Sequence, residues 1–237
     1  MIGGVRPPTP LLRVRSASVR SAGALGPALT ADERTRVDRA APAERDAVAS
    51  ALLLARRAVA EACGVQPDAV RLRRRCPRCG STGHGAPWAE RVDHGPVPWL
   101  SMSRTADLVV VALAGAPVGV DVERAGSADD ALAGVALADG EQPAAGPDGV
   151  LRTWVRKEAV LKAAGTGLSV DPRALRVSAA SGDPLVTATG PAAAPDGARW
   201  WLTDLDLGAG HVVALAVALS PGAAPTLDVR ALHLDAD

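Results

Sequence analysis

Residues 108–123 read Leu-Val-Val-Val-Ala-Leu-Ala-Gly-Ala-Pro-Val-Gly-Val-Asp-Val-Glu, and most of the chain can be placed relative to this stretch. Two apolar runs, 108–114 and 118–122, flank the turn sequence Gly-Ala-Pro at 115–117. Short apolar runs rich in valine on either side of a Gly/Pro turn are typical of paired strands. We therefore predict a strand hairpin here.

One long amphipathic helix is predicted on each side of this stretch. Apolar residues recur at helical spacing within 44–63 and within 151–164, and a glycine follows each segment. Elsewhere the chain alternates short strand-like runs with Gly and Pro breaks. We predict an α+β fold of two halves, 1–116 and 117–237, each an antiparallel sheet packed on a long helix.

The composition excludes several classes of protein. The chain has 237 residues, of which 48% are apolar, and it lacks Phe and Tyr, so its core must be mainly aliphatic. No apolar run is long enough to span a membrane, the N-terminus lacks the apolar stretch of a signal peptide, and three cysteines are too few for a disulfide framework. We expect a cytoplasmic monomer that binds neither membranes nor nucleic acid.

The charges cancel overall but are unevenly distributed. Residues 1–78 contain 15 Arg against 7 acidic residues, whereas 79–237 contain 11 basic against 19 acidic residues. This asymmetry suggests an anionic ligand on the first part and cation or carboxylate chemistry on the second, with scattered surface charge as the alternative. Only two of the 26 basic residues are lysines, Lys157 and Lys162. In so arginine-rich a chain, two retained lysines indicate a site that needs a compact ammonium group.

Acidic residues at two places in the sequence suggest a cation site. Asp121 and Glu123 alternate with valines, so on a strand both carboxylates project from one face. Such a pair is tolerated when a hard cation such as Mg²⁺ lies between the carboxylates, and the alternative is a solvated strand end. On the second helix Glu158 and Lys162 are four residues apart and share a face, either as an ordinary surface ion pair or as part of the same site.

Together these residues resemble a known family. Gly119-Val-Asp-Val-Glu123 followed by Trp154-x-x-Lys-Glu-Ala-x-x-Lys-x-x-Gly-x-Gly-Leu168 is similar to the surfactin-synthetase type of 4'-phosphopantetheinyl transferase. These enzymes transfer the phosphopantetheine arm of coenzyme A to a carrier-protein serine and release adenosine 3',5'-bisphosphate. The resemblance covers most of 29–178 and implies a pseudo-symmetric fold with the active site in the cleft between the halves.

The resemblance also implies roles for individual residues. Mg²⁺ would be bound by three acids: Asp121, Glu123 and Glu158. In catalysis Glu158 would be the candidate base and Lys162 would contact the phosphate chain. Coenzyme A would be contacted by six basic or hydroxyl residues: Arg36, Arg45, Ser103, Arg104, Lys157 and Lys162. The partner would be an apo acyl or peptidyl carrier protein of fatty-acid, polyketide or nonribosomal-peptide biosynthesis.

Two positions depart from the family pattern. Arg104 stands where the family has a histidine, which makes the positive charge permanent but removes a proton donor. Ala86, in His84-Gly-Ala-Pro, stands where the family has a phosphate-contacting lysine, and an arginine of 73–75 or Arg78 is a candidate to compensate. A degenerate relative that binds coenzyme A or the carrier protein without turnover is therefore an alternative function.

The cysteine-containing segment suggests one more function. Cys76-Pro-Arg-Cys79, with His84 and His94 nearby in sequence, has the form of one zinc knuckle. A second cysteine pair is missing, so we expect free thiols rather than structural zinc. Because arginines surround this segment, a zinc-containing nucleic-acid-binding module is a further alternative, although the scarcity of aromatic residues removes the rings on which bases stack.

Overall fold

The computed structural model describes residues 11–76, 79–180, 184–208 and 210–235. Within these residues the α-helices are α1 (Ala22–Leu25), α2 (Ala31–Arg39), α3 (Arg45–Cys63), α4 (Leu132–Ala136) and α5 (Gly149–Ala163). The strands are β1 (Leu11–Ser18), β2 (Val70–Arg75), β3 (Ala86–Arg91), β4 (Trp99–Arg104), β5 (Leu108–Ala114), β6 (Val118–Arg124), β7 (Arg176–Val177), β8 (Val186–Thr187), β9 (Arg199–Leu205), β10 (His211–Leu219) and β11 (Thr226–Ala231). None of these helices has the length and apolar character needed to cross a membrane.

The fold is α+β, as predicted, and is built mainly from two sheets. The first sheet has the strand order β11-β1-β5-β4 and the second has the order β6-β10-β9. Neighbouring strands are antiparallel except β1 and β11, which are parallel. Two short antiparallel pairs, β2-β3 and β7-β8, complete the described strands.

The two sheets pack against each other, and one long helix covers the outer face of each. An aliphatic core between the sheets includes Leu108 and Val110 from β5 and Val118 and Val120 from β6. Alternate residues of β5 pack instead with α3, and α5 packs with β9 and β10 in a third core. Both long helices predicted from the apolar periodicity are confirmed.

The predicted hairpin is wrong, because β5 and β6 belong to different sheets. Both edges of β5 are occupied, one by β1 and the other by β4, so no edge is left for β6. The chain instead enters the second sheet at Pro117, whose carbonyl oxygen accepts a hydrogen bond of 2.9 Å from Ala218 N–H. The Gly-Ala-Pro segment therefore carries the chain from one sheet to the other.

The last described strand, β11, returns to the first sheet and lies beside β1. This pairing encloses Arg15, whose side chain is 1% exposed. Its guanidinium donates to Glu61 Oε1 of α3 at 2.7 Å and to Asp228 Oδ2 of β11 at 2.9 Å. One ion-pair cluster thus joins the first strand, the first long helix and the last strand.

Gly119 sets the distance between β6 and α5. Because side chains alternate along a strand, Gly119 and Asp121 face α5 while the intervening valines face the core between the sheets. A Cβ atom at Gly119 would lie 1.9 Å from the carbonyl oxygen of Ala159 and 2.5 Å from the nitrogen of Ala163, both in the α5 backbone. Only glycine allows the helix to pack this closely on the strand.

Gly119→Ala should lower the free energy of unfolding by about 1–3 kcal/mol, because α5 must move away from β6 to admit the methyl group. Gly115→Ala is the matched control, since nothing lies within 4 Å of a Cβ atom at that position. It should change stability by less than ~0.5 kcal/mol. Urea denaturation followed by tryptophan fluorescence measures both variants, and equal stability would contradict the close contact.

Candidate functional site

Asp121 lies at the centre of a polar cluster where β4, β6 and α5 meet. Its Oδ1 accepts hydrogen bonds from Lys162 Nζ at 2.6 Å and from Ser103 Oγ at 2.8 Å. Lys162 Nζ also donates to Ser103 Oγ at 3.0 Å. The structure therefore brings three residues predicted from the sequence into direct contact.

The secondary structure explains why these side chains meet. The N–H of Val120 in β6 donates to Ser101 Oγ in β4 at 3.1 Å, which links the neighbouring edge strands of the two sheets. Ser103 is two residues further along β4, so it projects from the same face as Ser101 and reaches Asp121. Lys162 completes the group because α5 lies directly on this face of β6.

Glu158, one helical turn before Lys162, is an acid buried beside other acids. It is 8% exposed, and its Oε1 has no hydrogen-bond partner. Burial and the charge of Asp121 raise the pKa of Glu158 to about 7, with a smaller contribution from Glu123 and against the opposing charge of Lys162. The pKa of Glu123 is also raised, by burial and then by Asp121. The three predicted acids thus form one electrostatically coupled group.

The carboxylates of this group present oxygen atoms suited to a hard cation. Asp121 Oδ2 and Glu158 Oε1 are both buried without a hydrogen-bond partner, which is unfavourable for each. A divalent cation would satisfy these oxygens and reduce the repulsion between the acids. Among the described residues, however, the oxygens of the three acids do not all lie within 4.8 Å of one another. In this arrangement Lys162 supplies the positive charge beside Asp121.

Lys157 lies in a different environment from the one predicted. Its side chain is 0% exposed, and Nζ donates to Glu141 Oε2 at 2.5 Å and to the carbonyl oxygen of Ala136 at 2.8 Å. Glu141 also accepts hydrogen bonds from the N–H groups of Ala138 and Val177, at 2.9 and 2.8 Å. In this structure the ammonium has no exposed surface and anchors α5 to the preceding loop, and the contact between Lys157 and coenzyme A stays a prediction.

The three predicted arginines lie on the first half of the chain. Arg36 of α2 donates to a backbone carbonyl oxygen of β2 at 2.8 Å. Arg45, the first residue of α3, donates to two backbone carbonyl oxygens around the end of α2. Arg104, the last residue of β4, pairs with Glu44 at 3.2 Å. Each arginine is thus held at the side of the molecule formed by α2, β2 and the start of α3.

Arg74 is a further basic residue, which the sequence did not distinguish from its neighbours. Burial lowers its pKa, and the charges of Arg36 and Arg104 lower it further, so Arg74 lies near both of these guanidinium groups. The Nε of Arg74 is buried without a hydrogen-bond partner. The signal available in the sequence was the alternation along β2, which places Arg74 on the face of the buried Leu72.

This arginine cluster lies beside Ala86, the position at which the resemblance leads us to expect a lysine. In the β2-β3 pair Arg74 is opposite Pro87, the residue after Ala86. Arg73 is engaged with two surface acids, and Arg78 lies outside the described residues. Of the arginines that the sequence offered as replacements, Arg74 is the one shown to approach both Arg36 and Arg104.

Residues 117–216 match the family model of the 4'-phosphopantetheinyl transferase superfamily. The match spans less than half of the chain and includes all three acids of the coupled group together with Lys162. No curated protein matches the chain. The match confirms the resemblance of the C-terminal part at the level of the superfamily, and it supports a transferase that uses coenzyme A and a carrier protein.

Glu158→Gln should stabilise the protein at alkaline pH when a chelator is present. The pKa of Glu158 is about 7 in the folded protein against an ordinary value of 4.5, so the wild type loses stability as the pH rises through this interval. The amide does not ionise. The stability difference in favour of the variant should therefore grow by on the order of 2 kcal/mol between about pH 5 and about pH 8.

Glu141→Gln is the matched control, and its effect on the free energy of unfolding should have the opposite sign. Burial alone would raise the pKa of Glu141, but the hydrogen bonds from Lys157 and two backbone N–H groups outweigh burial and lower it. This substitution should destabilise the protein across the same pH range. Urea titrations measure both variants, and a Glu158→Gln protein less stable than wild type at about pH 8 would rule out a buried, repelled carboxylate.

Proposed function

We propose that the protein transfers the 4'-phosphopantetheine arm of coenzyme A to a serine of an apo carrier protein, as the surfactin-synthetase type of transferase does. The reaction would require Mg²⁺ and release adenosine 3',5'-bisphosphate. The observation that carries the proposal is the cluster of Asp121, Glu158 and Lys162, which combines two unpaired buried carboxylate oxygens with an ammonium group. These residues lie inside the span that matches the superfamily.

The three acids are the proposed ligands of the cation. Asp121, Glu123 and Glu158 provide oxygen donors, and the unpaired oxygens of Asp121 and Glu158 support this role, although the three carboxylates would have to move closer together around the ion. When bound, Mg²⁺ would neutralise the negative charge that develops on the phosphate oxygens during transfer.

Lys162 and Ser103 are placed to bind the phosphate chain of coenzyme A beside this group. The side chain of Lys162 is 28% exposed, so its ammonium can exchange one acceptor for another without crossing the core. We propose that it releases Asp121 and contacts a phosphate oxygen, because an ammonium acts as a compact point charge on phosphate. Ser103 Oγ, within 3.0 Å of Lys162 Nζ, would donate to the same group.

Glu158 is the proposed acceptor of the proton from the attacking serine hydroxyl. Its pKa of about 7 applies without a cation, and a bound cation would lower it, so Glu158 would accept the proton as a weak base, alone or through a water. The carrier serine must reach the edge where β4 and β6 meet, because Glu158 and Lys162 are both presented there by α5.

The arginine cluster is the proposed site for another phosphate of coenzyme A. Arg36 and Arg104 each repel Arg74, and an anion bound beside Arg74 would reduce this repulsion. Arg74 would then replace the lysine that the family has at the position of Ala86. Arg45, on the same side of the molecule, remains a candidate for the phosphate on the ribose.

The transfer reaction can be tested by incubating the protein with an apo carrier protein, coenzyme A and Mg²⁺ and weighing the carrier. We expect a gain of one phosphopantetheine arm. Glu158→Gln should slow the gain by at least ~100-fold, because it removes both a cation ligand and the proposed base. Asp196→Asn, at an exposed residue of the same half, is the control and should react like wild type. Binding of coenzyme A with no mass gain on any of several carriers would contradict an active transferase.

Arg74→Ala should raise the KM for coenzyme A roughly ten-fold and change kcat by less than about two-fold, since it removes one charge-assisted contact remote from the reacting serine. Arg71→Ala is the control, because this guanidinium donates to backbone carbonyl oxygens of its own segment. Steady-state kinetics with a fixed carrier concentration separates the two constants. A KM equal to that of Arg71→Ala would remove Arg74 from the coenzyme A site.

A further inference from the structure

The loop between β2 and β3 brings three metal-binding side chains together. The ligand atoms of Cys76, Cys79 and His84 all lie within 4.8 Å of one another, and no other group of three or more such residues is found in the described chain. None of the three cysteines forms a disulfide bond. The proposed transfer reaction uses neither the two thiols nor the imidazole, so these ligands call for an explanation of their own.

The loop backbone is folded so that the histidine returns to the cysteines. Cys76 N–H donates to Ser81 O at 2.8 Å, and Gly80 N–H donates to Cys76 O at 2.9 Å. Gly85, with φ +105°, follows the histidine, and a Cβ atom there would lie 2.3 Å from the carbonyl oxygen of Arg75. This close backbone crossing places His84 beside the start of the loop, and it requires glycine.

We propose that Cys76, Cys79 and His84 bind one zinc ion, with water as the fourth ligand. In a tetrahedral site with ordinary bond lengths, a sulfur and a nitrogen ligand are about 3.6 Å apart. Cys79 Sγ and His84 Nε2 are 3.3 Å apart, so a small outward movement of either side chain admits the ion. Soft thiolate and imidazole ligands in this number favour zinc over Mg²⁺ or Ca²⁺.

The ligand set fits the charge of a zinc ion. Two thiolates and one neutral imidazole balance the charge of the ion. The sequence favoured free thiols because a second cysteine pair is missing, but the fold supplies His84 as a third ligand. The bound ion would fix the hairpin that carries Arg74.

The test is the zinc content of the whole protein, produced in zinc-supplemented medium, purified under reducing conditions without chelator, and freed of any affinity tag. Wild type should contain about one zinc per chain by mass spectrometry of the metal. Cys79→Ser and His84→Ala should each retain less than ~0.2 zinc per chain. Cys63→Ser is the matched control and should retain the ion, because its thiol lies at the end of α3 and contacts Pro96 O.

A cobalt titration gives a second readout that does not depend on transfer activity. Co²⁺ added to chelator-treated wild type and Cys63→Ser should produce the thiolate-to-cobalt charge-transfer absorption, which Cys79→Ser should lack. Zinc removal should also lower the Tm of wild type by roughly several degrees, because the folded state loses a bound ligand. It should leave the Tm of Cys79→Ser unchanged. Wild type with less than ~0.2 zinc per chain and no cobalt absorption, or equal zinc in Cys79→Ser, would overturn the proposal.

Discussion

The contact between α5 and β6 at Gly119 determines where the acids of the candidate site lie. Because a Cβ atom at this glycine would be only 1.9 Å from a helix carbonyl oxygen, no side chain separates the two backbones. At this separation Lys162 on the helix reaches Asp121 on the strand at 2.6 Å, and Glu158, one helical turn earlier, is buried at 8% exposure. A helix packed on a larger residue would hold its glutamate and lysine too far from the strand. A residue without a side chain is therefore part of the site.

The uneven charge of the sequence becomes two separate clusters in the structure. In one, Glu123 and Glu158 have raised pKa values because burial and neighbouring acids disfavour their charges. In the other, burial and two neighbouring arginines lower the pKa of Arg74. In each cluster the charges are only partly balanced by neighbouring groups of opposite sign, which is unfavourable for buried charges. A polyphosphate ligand bound with a divalent cation would supply a cation to the first cluster and anions to the second, which is the physical basis of the proposed function.

The sequence predicted those features that depend on local periodicity. The apolar repeats located α3 and α5, and strand alternation together with helical spacing placed Asp121, Glu158 and Lys162 in one group. Pairing between strands was not predictable in this way, because the turn at 115–117 looks the same whether the chain forms a hairpin or changes sheets. The surroundings of Lys157 were not predictable either, since helical spacing does not reveal that Glu141 lies against its face of α5. The division of the chain into two halves at residue 116 stays a prediction.

The pairing of β11 with β1 makes the order of synthesis matter for folding. Arg15 and its partner Glu61 are synthesised early. Asp228, the second acid paired with the buried guanidinium, is synthesised only after all the other described strands of both sheets. As the chain leaves the ribosome from its N-terminus, the first sheet therefore keeps an open edge next to an incompletely paired charge. The first sheet is completed only when β11 has been synthesised. A chain whose synthesis stops before residue 226 exposes the open edge of β1 to other chains.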